Sequence, residues 1–133
     1  MKYLLDTDTL IYWLKGDRNI DSKIQENDSS NLHISVISLA ELYYGAYKSA
    51  KVQANLKNIE KIKNRFLILK IDEKIVEEFG RIKSDLHRKG IPVGDFDILI
   101  ASIARISNFK LITNNIDHYS RIGTLKIGNW REA

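Results

Sequence analysis

Tyr3-Leu4-Leu5-Asp6-Thr7-Asp8-Thr9-Leu10 begins as an apolar run and stops at a carboxylate. A strand buried on both faces reads as a short unbroken apolar stretch, and Leu4-Leu5 ending at Asp6 has that form. Thr9 to Leu14 follows as a helix that Gly16 closes. The order strand, acid, helix predicts the first unit of an α/β fold, with Asp6 at the strand's carboxyl end.

Working outward, the same alternation repeats. Ile20 to Glu26 reads as a helix, Asn27 to Asn31 as turn chemistry, and the β-branched His33 to Ile37 as a second strand. Ser38 to Ser49 and Val52 to Phe66 are helical, the latter with Leu56, Ile59 and Ile62 on one face. Leu67 to Ile71 is the third strand. Glu73 to Lys89 is a long amphipathic helix that directs Ile75, Val76, Phe79, Ile82 and Leu86 inward and ends at Gly90. After Pro92-Gly94 an apolar helix covers Asp97 to Ser107, and Lys110 to Thr113 and Thr124 to Ile127 are two last short strands. Strands alternating with helices imply a central parallel sheet covered on both faces. One domain over residues 1–133 is expected.

Composition narrows the chemistry. With no cysteine among 133 residues, disulfides, thiolate zinc sites and cysteine nucleophiles are excluded. No apolar stretch reaches membrane-spanning length and the N-terminal run is too short for a signal peptide, so a cytoplasmic protein is expected. A net charge of +4 permits a polyanionic partner without requiring one.

Asp6, Glu41, Asp97 and Asn115 lie far apart in the chain, yet each falls just after a strand or at a helix start. Ligands of open α/β sheets bind beyond the carboxyl ends of the strands, so these positions would share one edge. Taken one at a time, each has a plainer explanation. Ser38-Leu39-Ala40-Glu41 has the form of a capping box, Thr7 or Asp8 would cap the first helix, and Asp95 would cap the helix containing Asp97. Taken together, three carboxylates within about 4 Å would repel by roughly 4 kcal/mol per pair. Such a cluster persists only if it takes up protons or a hard cation, and an all-oxygen donor set favours Mg²⁺ or Mn²⁺. Residue patterning alone reaches an acidic metal site and stops there.

Leu4-Leu5-Asp6-Thr7-Asp8, Ser38-Leu39-Ala40-Glu41-Leu42, Gly94-Asp95-Phe96-Asp97-Ile98-Leu99-Ile100-Ala101 and Leu111-Ile112-Thr113-Asn114-Asn115 stand in the order seen in PIN-domain proteins. The chain resembles the VapC toxins of VapBC toxin–antitoxin pairs, essentially from end to end. That resemblance implies a three-layer PIN-like fold around a parallel sheet of four to five short strands. It implies an Mg²⁺- or Mn²⁺-dependent endoribonuclease that leaves 5′-phosphate and 3′-hydroxyl ends, with tRNA a common target. One or two ions would be held by Asp6, Glu41 and Asp97. Asp95, an acid where many relatives have none, would either support the metal or cap its helix. Asn115 stands where many relatives carry a fourth acid, which bears on a second ion, and Asp117, two residues on, would cap a short helix or else substitute. Thr7, Asp8 and Thr113 would orient the ligands. A VapB-like antitoxin on a separate chain and a homodimer are the implied partners, with no membrane involved.

Lys48, Lys51, Arg88 and Lys89 belong to basic stretches that could hold an RNA backbone around an acidic centre. A solvated helix face would look the same. Tyr12 and Trp13 on one helix, and Tyr43, Tyr44 and Tyr47 on another, read as core or interface residues. His33 and His118 are isolated in the sequence and carry no assigned role.

Two rivals differ in kind. A haloacid-dehalogenase-like phosphatase would use Asp6 and Asp8 as nucleophile and acid. Against it, Leu10 replaces an expected Thr or Val, and the strand ending at Thr113 follows the late acidic motif instead of preceding it. A catalytically inactive PIN-like binding protein is the other, suggested by Asn115.

Overall fold

The structure, a computed structural model, describes residues 1–132. Five parallel strands form one sheet in the order β3-β2-β1-β4-β5. They are β1 (Tyr3–Leu5), β2 (Leu32–Ser35), β3 (Leu67–Leu69), β4 (Lys110–Ile112) and β5 (Ile127–Gly128). Helices α1 (Thr7–Leu14) and α2 (Arg18–Glu26) lie between β1 and β2. Between β2 and β3 come α3 (Val36–Lys48) and α4 (Val52–Arg65), and between β3 and β4 come α5 (Glu73–Arg88) and α6 (Asp95–Ser107). A single turn, α7 (Ile116–Tyr119), precedes β5.

The chain leaves β1 in one direction through β2 and β3, then returns to β1's other side as β4. Asp6 follows β1 directly, at the point where the winding reverses. Clefts form there because the helices on either side diverge.

Period-two alternation explains how such short strands are buried twice over. Leu4, paired in register with Leu111, faces the layer of α5 and α6 with Ile75, Ile82 and Ile98. Leu5, paired with Ile112, faces the layer of α1, α2 and α4 with Leu10, Ile24 and Ile62. All four strand residues are fully buried, each contributing roughly 1.5–3 kcal/mol of hydrophobic stabilisation. Gly16 and Gly90, at φ +93 and +69, close α1 and α5 in the left-handed region that side chains avoid.

Several expectations need correction. β2 ends at Ser35 and α3 begins at Val36, because the Ser35 hydroxyl accepts the Ser38 amide at 3.0 Å and caps the helix. The capping box expected at Ser38–Glu41 therefore does not form. Asp6 itself caps α1, displacing Thr7 and Asp8 from that role, and α1 starts at Thr7. Gly94, with no side-chain bond, precedes α6, so Asp95 is its first helical residue and not its cap. Val76 is 50% exposed and points outward. The last strand shifts to Ile127–Gly128, since Thr124 sits at φ 62 and cannot begin a strand.

Candidate active site

Asp6 is 3% exposed. Its Oδ1 accepts from the Thr7 amide at 2.8 Å, and its Oδ2 accepts from the Thr113 hydroxyl at 2.9 Å. The Tyr119 hydroxyl stands 3.2 Å from that same Oδ2 and 3.2 Å from Asp97 Oδ1. Asp6 and Asp97 thus flank a single oxygen, and their facing atoms cannot be farther apart than twice that distance. Asp97 Oδ2 lies 3.4 Å from His118 Nδ1.

Glu41 enters from α3. The Thr7 hydroxyl donates to its Oε1 at 2.7 Å, and the Thr7 and Ser38 hydroxyl oxygens are 2.9 Å apart. Asp8, half-buried, accepts the Asn114 amide on Oδ2 at 3.2 Å. Asn114 and Thr113 come from the turn after β4, so β1, α3, β4, α6 and α7 each deliver a part.

The acids disturb one another. Burial, then the Asp8 charge, pushes the Asp6 carboxyl from 3.8 to about 7, opposed by the Thr7 and Thr113 hydrogen bonds. Burial also raises Asp8 and Glu41, and the Asp97 charge adds to both. Burial, with the Asp6 and Asp97 charges, raises the Tyr119 phenol, which therefore stays a neutral donor. Among the described residues no lysine or arginine forms an ion pair with Asp6, Asp8, Glu41 or Asp97.

Nor do three His, Asp or Glu side chains among the described residues close into a finished ligand shell. Tyr119 stands between Asp6 and Asp97, and Glu41 is turned onto Thr7. What the protein presents is a set of oxygen donors whose negative charge no lysine or arginine pair offsets among the described residues. That donor chemistry fits a hard dication and does not fit zinc, which prefers nitrogen and sulfur.

The other sequence candidates make no bond to these carboxylates, although the Asn115 amide donates to the Thr113 hydroxyl at 3.0 Å. Asp95 is exposed and pairs with Lys83 at 2.9 Å. Asn115 precedes α7 without a side-chain capping bond, and Asp117 lies in that helix's first turn. Arg88 and Lys89 both pair with Asp85, at 3.6 and 3.0 Å. The Lys48 ammonium sits 5.0 Å from the Tyr44 ring centre, and Lys51 is exposed ahead of α4.

Tyr119 and His118 were not among the sequence candidates. No local signal marks them, because a four-residue helix has too little periodicity to show which face turns inward. His33 is buried, its Nδ1 3.3 Å from the Tyr3 carbonyl oxygen, and takes no part in the acidic cluster.

Comparisons with known proteins agree with this fold. The family model described as PIN domain matches residues 3–124. A Haemophilus influenzae protein named Ribonuclease VapC2 is 37% identical over 131 residues, covering 98% of both chains. The tRNA(fMet)-specific endonuclease VapC of Salmonella typhimurium is 36% identical over 131 residues, again covering 98% of each. Among solved structures, the DNA-bound VapBC of Salmonella typhimurium superposes with a TM-score of 0.92 at 36% identity, covering 98% of both chains. VapBC2 of Rickettsia felis, bound to a DNA fragment from its promoter, gives 0.91 at 34% identity, covering 98% of this chain and 99% of that one.

Proposed function

The chain belongs to the PIN-domain family, and on that premise we propose that it is a metal-dependent endoribonuclease, the toxin of a VapBC-type toxin–antitoxin pair. One observation carries the reading. Two carboxylates from distant segments, Asp6 and Asp97, flank one hydroxyl at the sheet's switch point, with no lysine or arginine among the described residues to neutralise them. Asp6 and Asp97 would hold Mg²⁺ or Mn²⁺, with Glu41 and Asp8 adding negative charge around it. When bound, the cation supplies Lewis-acid charge to the phosphodiester and makes attacking hydroxide available near neutral pH.

The chain's own groups do the rest. Thr7 and Thr113 orient Glu41 and Asp6 through the bonds at 2.7 and 2.9 Å. Glu41, half-buried and with its pKa raised by burial, would take up the proton that the attacking water gives away. Lys48, Lys51, Arg88 and Lys89 would meet the RNA backbone. The Asp85 pairs of Arg88 and Lys89 are exposed and weak enough to exchange for phosphate. Since a relative is named a tRNA(fMet)-specific endonuclease, tRNA is the substrate to try first.

The apolar cleft of about 280 Å³ lined by Ile11, Leu14, Leu42, Ala46 and Ile59 reaches Glu41. It would take an apolar segment of a VapB-like antitoxin. Exposed Tyr44 and Tyr47 on α3 would face a second copy of the chain.

The phosphatase reading gains little support, because the relatives at 36–37% identity are named as a ribonuclease and a tRNA endonuclease. The inactive-binder reading is separated by assay. Purified protein is incubated with tRNA in Mg²⁺, Mn²⁺ or chelator, beside Asp6→Asn and Asp97→Asn variants checked for fold. Cleavage confined to cation-loaded wild type is expected. Cleavage that survives chelation, or survives in both variants, sinks the proposal.

A further inference from the structure

At the carboxyl ends of β4 and β5 a second, polar cleft of about 470 Å³ opens, lined by Asn114, Asn115, Asp117, His118, Asn129 and Glu132, with Ile116 as its apolar wall. Two of its residues touch the acids. The Asn114 backbone amide donates to Asp8 Oδ2 at 3.2 Å, and His118 Nδ1 lies 3.4 Å from Asp97 Oδ2. An occupant of this cleft would adjoin whatever the acids process.

Charge decides what kind of occupant fits. The lining holds two carboxylates, Asp117 and Glu132, and no lysine or arginine. Arg131, next to Glu132 in the chain, is turned onto Asp17 at 3.1 Å and over the Tyr12 ring at 3.9 Å. A backbone phosphate would be repelled. A neutral, planar group rich in N–H donors would be welcome.

Hydrogen bonding sharpens this further. The Asn114 Nδ2 is buried without a partner, the one such side-chain atom found among the described residues. A buried donor left unmet is unfavourable, so this amide would gain by turning toward an acceptor brought into the cleft. Asn129 Oδ1 is already committed to the Arg131 amide at 2.8 Å, leaving its amide nitrogen as a second donor.

Resting on the nuclease reading above, we propose that this cleft is a base-recognition subsite that takes the nucleobase flanking the scissile phosphate, guanine in preference to the others. Guanine presents adjacent N–H donors, on N1 and the exocyclic amine, to Asp117 or Glu132. Its O6 beside them would accept from the Asn129 amide nitrogen, and from Asn114 once that buried amide turns into the cleft. Adenine and cytosine lack the paired ring N–H, and uracil has no amine. Asn129 and Asp117 are the specificity-determining side chains for this reaction.

The test maps cut positions on a random-sequence RNA pool for wild type, Asn129→Ala and Asp117→Asn, with fold and Mn²⁺ affinity checked by melting and calorimetry. Guanine enriched at one fixed position beside the cut is expected. Each variant should lower kcat/KM at those sites roughly tenfold relative to other sites, the value of one good pairing. Enrichment for another base, or a guanine enrichment that both variants leave intact, overturns the proposal.

A second measurement does not depend on cleavage. Guanosine added to cation-free, ¹⁵N-labelled protein should shift the Asn114 and Asn129 side-chain amide signals more than adenosine, cytidine or uridine does. Equal shifts with all four, or none, overturn it. If wild type cuts no RNA while guanosine still shifts those signals, the nuclease reading fails and the cleft's base preference stands alone.

Discussion

The Thr7 hydroxyl donates to Glu41 Oε1 at 2.7 Å across 34 positions of chain. That bond locks the start of α1 to the second turn of α3. It also explains why Glu41 is not a helix-capping residue: Ser35 caps α3, and Glu41 lies beyond the reach of the free amides. Replacing Thr7 with valine keeps the shape and deletes the donor. Cleavage is expected to fall between about tenfold and a hundredfold, and Thr7→Ser is expected to restore most of it. Steady-state rates at saturating Mn²⁺ measure both. Equal loss in valine and serine variants would mean that packing, not the hydroxyl, matters.

Asp6 makes the cation-free protein's stability depend on pH. Its folded pKa, about 7, lies above the ordinary 3.8 that the unfolded chain retains. The stabilising proton is therefore fully present below about pH 4, and its contribution is lost as pH rises through 7. Urea unfolding in chelator should show wild type losing up to roughly 4 kcal/mol relative to Asp6→Asn between pH 4 and pH 8. A difference that stays flat over that range contradicts the burial argument.

Cation binding should reverse that penalty. At a concentration one hundred times the dissociation constant, Mg²⁺ or Mn²⁺ is expected to stabilise wild type by about 2.7 kcal/mol. Thermal melts at pH 8 should move upward by several degrees with cation. Asp97→Asn should move far less. Identical shifts in the two proteins would place the ion elsewhere.

Tyr119→Phe removes one hydroxyl from between Asp6 and Asp97. Cation-free protein should lose about 1 kcal/mol, because two acids then face each other without a donor. Cation-loaded protein should lose less, since the ion takes over that neutralisation. Denaturant titrations with and without Mn²⁺ compare the two losses, and equal losses refute the idea.

Asp95→Asn separates surface pairing from ligation. Asp95 and Lys83 form an exposed pair at 2.9 Å, so the change should cost no more than about 1 kcal/mol and leave Mn²⁺ affinity where it was. Weakened Mn²⁺ binding by calorimetry would return Asp95 to the ligand set.

Much of this protein is legible in one dimension. Burial of Leu4 and Leu5 on opposite faces needs only alternation, and the inward rows of α5 at Ile75, Ile82 and Leu86 need only helical periodicity. Val76 escaped the pattern, since its position beside the apolar stripe does not say where the neighbouring layer ends. Boundaries slipped for a related reason. Ser35 and Ser38 are both plausible caps by type, and only the backbone angles decide between them.

Local order along the chain therefore determined the alternation of elements, the parallel sheet, and the placing of Asp6, Glu41 and Asp97 next to strand ends or helix starts. Folding alone decided that Tyr119 reaches Asp6 across 113 positions, whereas Thr113, which bonds Asp6 across 107, is already expected from the sequence to orient the ligands. Periodicity reports which side of an element is apolar, whereas a hydrogen bond depends on where two elements meet in space. The packing of α7 beneath the acids is information of that second kind.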